Sequence, residues 1–234
     1  MNQVRKIRTG TLSVFAISGL LAVPSAAAAA NKAEDRLMLA STVLSESMHA
    51  GDKGIPDDIL KRSHCAVIVP GLKKGAFFVS GEYGKGFITC RKGGAWSAPA
   101  AIRMEGGGIG LQFGGSETDL ILLVMNDRGS ERLMSSKFTL GAEGEVAAGP
   151  VGRDASAETD GKLTAEILAW SRSRGVFAGI SLKGATLRPD EDDNAELYGQ
   201  KLGTRDVLNG SMAVPPAGIP LVRALEAYSP YEKH

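Results

Sequence analysis

From Cys65 to about residue 187 the chain repeats one style, short apolar stretches broken by glycine. No other feature constrains the fold as strongly. Glycine occurs 30 times without a Gly-X-Y period, so it marks turns and closely spaced strands and not a collagen-like helix. CAVIVPG (65–71) is a continuous, largely β-branched run that reads as a strand stopped at a Pro70-Gly71 turn. AFFVSG (76–81), GKGFITCR (84–91), SAPAAIRM (97–104) and IGLQFGG (109–115) follow with strand length and composition. DLILLVM (119–125), FTLGAEGEV (138–146), EILAWS (166–171) and VFAGISL (176–182) complete the set. Turn-length gaps between several of them predict antiparallel neighbours.

Helical spacing flanks this region. Leu37, Ala40, Val43, Leu44 and Met48 put an apolar stripe on one face of residues 31–50, and Pro56 opens a short second helix. After residue 190, NAELYGQKLG and PLVRALEAY return to helical spacing on either side of Pro215-Pro216. Helices, then many strands, then helices predict an α+β fold: a glycine-rich, mainly antiparallel sheet with an N-terminal amphipathic helix and C-terminal helices.

The first thirty residues carry a basic start (Arg5, Lys6, Arg8), an apolar run from Leu12 to Val23 and then PSAAAAA. This is the pattern of a secretory signal peptide with cleavage near 27–30, an uncleaved anchor being the alternative reading. Residues 31–234 are then a single domain with a C-terminal helical extension from about 201, exported to periplasm or medium. Without the segment's three basic residues, 24 basic face 26 acidic ones, a net charge of −2. No global basic field is left to recruit nucleic acid. In an oxidising compartment Cys65 and Cys90 are expected to form a disulfide, two buried thiols being the alternative.

No enzyme motif fits. EGGGIGLQFGG (105–115) has the glycine density of a phosphate loop, but it lacks the G-x-G-x-x-G spacing and a following helix. Ile109, Leu111 and Phe113 alternate with glycine, so the stretch reads as a strand with one nearly bare face. Neither a P-loop nor a G-x-S-x-G elbow occurs, and His49, His64 and His234 stand in no metal or triad pattern. His64 next to Cys65 is read as a structural pair and not a catalytic one. PDEDDNAE (189–196) fails the calcium-loop pattern at Ala195 and Lys201 and reads as a turn whose Asp192 or Asp193 caps the next helix. No metal, cofactor or catalytic residue is expected. Lys73, Lys74, Lys85, Arg172 and Arg174 are candidates to hold a lipid headgroup through charge-assisted hydrogen bonds, with Arg91 and Arg153 as further cations.

AVIVPGLKKGAFFVSGEYGKGF, GAWSAPAAIRMEGGGIGLQFGGSETDLILLVMN, KFTLGAEGEVAAGPVGR and SRSRGVFAGISLKGATLRPDEDDNAELYG resemble, in order, the SYLF domain family. That family includes the yeast actin-patch domain and lipid-binding animal relatives, and this sequence is most similar in style to its exported bacterial branch. The resemblance implies a non-enzymatic lipid- or membrane-binding module. In the family's eukaryotic members an amphipathic N-terminal helix with basic residues binds phosphoinositides. Here that helix is acidic as well as basic (Lys32, Glu34, Asp35, Arg36, Glu46), so the family transfers better than its ligand. A structural envelope protein that grips a protein partner through the bare sheet face is the alternative.

Overall fold

The computed structural model describes residues 32–51, 54–77, 79–109, 114–151, 165–173, 176–179, 182, 184–209 and 212–230. The signal segment, Arg153 and Arg174 lie outside them. The chain opens with α1 (Lys32–Met48) and α2 (Asp57–Arg62), followed by β1 (Cys65–Phe77), β2 (Val79–Lys92), β3 (Ala95–Trp96), β4 (Ala100–Ile109) and β5 (Gly114–Val124). Then come α3 (Asp127–Leu133), β6 (Phe138–Thr139), β7 (Val146–Ala148), β8 (Ile167–Ser173), β9 (Val176–Gly179) and β10 (Thr186–Pro189). Helices α4 (Glu191–Tyr198) and α5 (Thr204–Asn209), a short 3-10 turn (Pro216–Gly218) and α6 (Ile219–Tyr228) finish it. The fold is α+β, as the order of patterns predicts.

The strands form one sheet in the order β6-β10-β4-β2-β1-β5-β8-β7, with β3 on β2 and β9 on β8. All pairs between these strands are antiparallel except β7 with β8. The end strands β6 and β7 meet through a bridge between Leu140 and Gly144, so the sheet curls almost closed. Its inner face holds Val67, Val69, Leu72, Ile102, Met104, Leu120 and Leu122. Its outer face holds Ala66, Ile68, Phe87, Ile121, Leu123 and Trp170 beneath Leu37, Leu44, Leu221 and Leu225 of the helices. Because both faces are covered, strands such as CAVIV and LILLV are apolar throughout and do not alternate, the usual sign of a sheet with one wet face being absent. Helix α1 is core: Leu37, Ala40 and Leu44 are fully buried. Each leucine contributes about 1.5–3 kcal/mol there.

Five sequence expectations need correction, the first being AFFVSG, which is not one strand: β1 ends in it at Phe77, and β2 begins at Val79 and pairs back on β1. Pro70-Gly71 does not stop β1, which runs on to Phe77 through an irregularity between Val69 and Leu72, where Gly71 takes a φ of +60° and its N–H donates to Asp119 Oδ1 at 2.9 Å. IGLQFGG is not one strand: β4 ends inside it at Ile109 and pairs with β2, whereas β5 starts at Gly114 and pairs with β1. Leu111 and Phe113 lie outside the described residues. FTLGAEGEV divides into β6 and β7 around a turn at Gly141, whose φ is +79°. Helix α4 is capped by Asp190, which accepts from the Asp193 N–H at 3.1 Å; Asp192 and Asp193 fall in its first turn.

Glycine at two positions of EYGKGF answers to this geometry. A Cβ on Gly86 would lie 2.1 Å from the Ile68 carbonyl oxygen, and one on Gly84 would lie 2.8 Å from Val69 Cγ1 and Leu72 Cδ1. What lies close to these bare positions is β1 where it kinks. Cys65 and Cys90 face each other across β1 and β2 and form a disulfide.

Candidate functional site

The four central strands outrun their helical cover. On the outer face, Ile68, Phe87 and Ile121 are buried, but further along the same strands Lys73, Tyr83 and Glu117 are exposed. Register places Lys73 opposite Tyr83 on one side and Glu117 on the other, and Tyr83 opposite Glu105. Beyond this row the strands carry a line of glycines in register, Gly115–Gly75–Gly81–Gly107, across β5, β1, β2 and β4. A Cβ at Gly81 would meet nothing within 4 Å. This line is not the bare face read from EGGGIG: Gly107 shares its face with Ile109, whereas on the opposite face a Cβ at Gly106 would lie 2.5 Å from Glu82 Oε1.

The five candidate cations do not form one cluster. Lys73 is exposed, and among the described residues it has no ion-pair partner. Lys74, its neighbour on the opposite face, lies 3.4 Å from Glu82. Lys85 is committed elsewhere, with its ammonium 2.7 Å from both Asp190 and Asp193. Burial alone would pull its pKa down, but hydrogen bonds to the two carboxylates and their charges outweigh this and raise it. Arg36 of α1 also bonds Asp193, so Lys85 ties the sheet to α4 and α1. Arg172 donates from Nε to Asp119 at 2.7 Å and pairs with Glu46 of α1. As a headgroup ligand, then, Lys85 would first have to leave two carboxylates, and Arg172 would have to leave Asp119 and Glu46. Arg174 lies outside the described residues. Of the described candidates, Lys73 is the one at the overhanging end without a carboxylate partner, Lys74 being held by Glu82 on the other face.

The partners of Lys85 and Arg172 were not visible in the sequence, because Asp193 is 108 residues from Lys85 and Asp119 is 53 from Arg172. The exposed Tyr83 and Glu117 were missed as well, since nothing in their local sequence distinguishes them from solvated strand residues. Arg91 is structural: it donates to the carbonyls of Ser63 (3.1 Å) and Ser229 (2.9 Å) and lies 4.4 Å over the Trp96 ring. Burial lowers its pKa.

A nucleophile is not assembled at the histidine-cysteine pair. Cys65 is in the disulfide, and His64 Nδ1 turns to Asp127 Oδ1 at 2.8 Å. Among the described residues no group of three or more His, Cys, Asp or Glu side chains could hold a metal ion, and no helix is long and apolar enough to cross a membrane. The apolar stripe of α1 faces the core, and only Met38 and Leu39 of its large apolar residues are prominently exposed.

The profile of a family described as "Ysc84: Las17-binding protein actin regulator" matches residues 105–228. The chain is 37% identical over 195 residues to LAS seventeen-binding protein 3 of Saccharomyces cerevisiae, an alignment covering 81% of this chain and 42% of the relative. It is 38% identical over 197 residues to Protein YSC84 of the same yeast, covering 81% and 41%. With SH3 domain-containing YSC84-like protein 1 of Homo sapiens it shares 31% identity over 185 residues, covering 78% and 54%. The chain thus spans less than half of each yeast relative and about half of the human one.

Proposed function

The chain belongs to the Ysc84 family, and from that premise we propose that it is an exported, non-enzymatic module that binds lipid or a membrane surface. The observation that carries this reading is the overhanging end of the sheet. There a glycine line crosses four strands on the face that carries Lys73. A surface without side chains lets an extended partner approach the backbone closely, and the Lys73 ammonium at its border suits phosphate oxygens. Export follows from the basic-apolar-small pattern of residues 1–30. The family's description as a binding protein and regulator agrees with a role without catalysis.

A second reading is a protein partner on the same surface. It is favoured by the name of one yeast relative, LAS seventeen-binding protein 3, and by the family's description as Las17-binding. Extraction of the purified protein with organic solvent, followed by mass spectrometry, separates the two readings when combined with vesicle co-sedimentation. The lipid reading expects a retained lipid or sedimentation with vesicles, weakened in the Lys73→Ala, Lys74→Ala double variant. Neither retention nor sedimentation in any lipid mixture would sink it.

A further inference from the structure

We propose that the exposed row Tyr83–Lys73–Glu117 seats a zwitterionic phospholipid headgroup, with Lys73 on the phosphate and Glu117 on the ammonium. This rests on the lipid reading above and specifies its ligand. The argument begins with charge. Lys73 and Glu117 are register partners on β1 and β5. Adjacent strands lie about 4.8 Å apart, well inside a Debye length of about 8–10 Å at moderate salt. A distant anionic surface therefore sees almost no net charge from this pair.

The neighbouring charges do not change that balance. Lys74 is matched by Glu82 at 3.4 Å, and Glu105 by Arg103 at 3.0 Å with Arg188 at 3.8 Å. Asp119 and Glu46 are both held by Arg172. Among the described residues, Lys73, Lys74, Arg103, Arg188 and Arg172 face Glu82, Glu105, Glu117, Asp119 and Glu46, five charges of each sign. These described charges together exert little attraction on a negative membrane.

Close up, the same pair is a short dipole. A phosphocholine or phosphoethanolamine headgroup carries one negative and one positive group a few bonds apart. Laid antiparallel to the pair, it makes two favourable contacts at once, whereas a singly anionic headgroup makes one favourable contact and one repulsive contact with Glu117. Tyr83, opposite Lys73 on its other side and 48% exposed, adds an amphipathic ring of the kind that settles at the headgroup level of a bilayer.

The test is co-sedimentation of the purified protein with vesicles of phosphatidylcholine and phosphatidylethanolamine, beside vesicles rich in phosphatidylglycerol, each at low and high salt. The expected result is binding to the zwitterionic vesicles that changes little with salt. Lys73→Gln and Glu117→Gln should each lower it by about tenfold, the factor of one lost charge-assisted contact. Because both side chains are exposed, thermal unfolding of these variants should match the parent, which keeps a folding defect from imitating the effect. Binding confined to the phosphatidylglycerol vesicles and falling steeply with salt would overturn the zwitterionic assignment while leaving the lipid reading standing. So would zwitterionic binding that neither substitution alters. Absence of binding to every vesicle would remove the lipid reading, and this assignment with it.

Discussion

Replacing Gly86 by alanine would place a Cβ 2.1 Å from the Ile68 carbonyl oxygen, 2.8 Å from Val69 Cα and 2.9 Å from the Ile68 carbonyl carbon. All three are backbone atoms, so no rotamer change relieves the contact; β1 itself must move at the Pro70-Gly71 irregularity. That shift would disturb Val69 and Leu72, both fully buried on the inner face. Overpacking of this kind costs about 3 kcal/mol, the upper part of its usual range. For a chain of this size that is roughly a 6–12 °C fall in Tm. Gly81 is the control on the same strand: an added Cβ there meets nothing within 4 Å, and its φ is not positive. Gly81→Ala should leave stability unchanged or raise it by up to about 1 kcal/mol through the unfolded chain. Guanidinium unfolding with the disulfide intact, followed by the fluorescence of buried Trp96 and Trp170, measures both variants. A lower midpoint at constant slope for Gly86→Ala alone is the expected result. Equal midpoints for the two variants would refute the claim that Gly86 is needed for the close approach of β1.

Arg91→Ala should destabilise by about 3 kcal/mol, because it strips the Ser63 and Ser229 carbonyls of a donor and uncovers Trp96. Arg91→Lys should recover only part of this, since an ammonium cannot reproduce the fork; both are read by denaturant unfolding. Thiol titration under denaturing, non-reducing conditions should find no free thiol, and the Cys65→Ala, Cys90→Ala double variant should lose about 3.5 kcal/mol by loop-closure entropy over 25 residues. The ammonium of Lys85 is favoured in the folded state, so its contribution is complete below the ordinary lysine pKa of 10.5 and disappears as pH rises through the higher folded value. Unfolding curves at increasing alkaline pH should therefore show the gap between the parent and Lys85→Gln narrowing; a gap independent of pH would contradict that linkage.

The strands were legible where the apolar run was long. CAVIV and LILLV could be read because burial on both faces leaves no polar position to obscure them. Punctuation was harder. Proline followed by glycine usually ends a strand, but here the Asp119 carboxylate takes the Gly71 N–H and lets β1 continue, a contact 48 residues away in sequence. Helix α3 was missed although Asn126 announces it: its side chain accepts from the Gly129 N–H at 2.8 Å, and an asparagine directly after an apolar strand is a usable start signal. The cations posed a different problem. Composition near Lys85 and Arg172 says nothing about the carboxylates that meet them, because those come from distant turns of the chain. The glycine line was half legible: EGGGIG showed one strand's share, and only register could align it with Gly75, Gly81 and Gly115.

The disulfide and the glycine line sit at opposite ends of the β1–β2 hairpin. Cys65 is ten residues from Gly75 along β1, a distance of about 33 Å at strand rise. Mechanically the hairpin is a cantilever: its root is closed by a covalent bond in the packed core, and its far end carries one glycine on each strand, Gly75 and Gly81. Adaptation to an uneven surface and preservation of the fold are thus assigned to different ends of the same two strands.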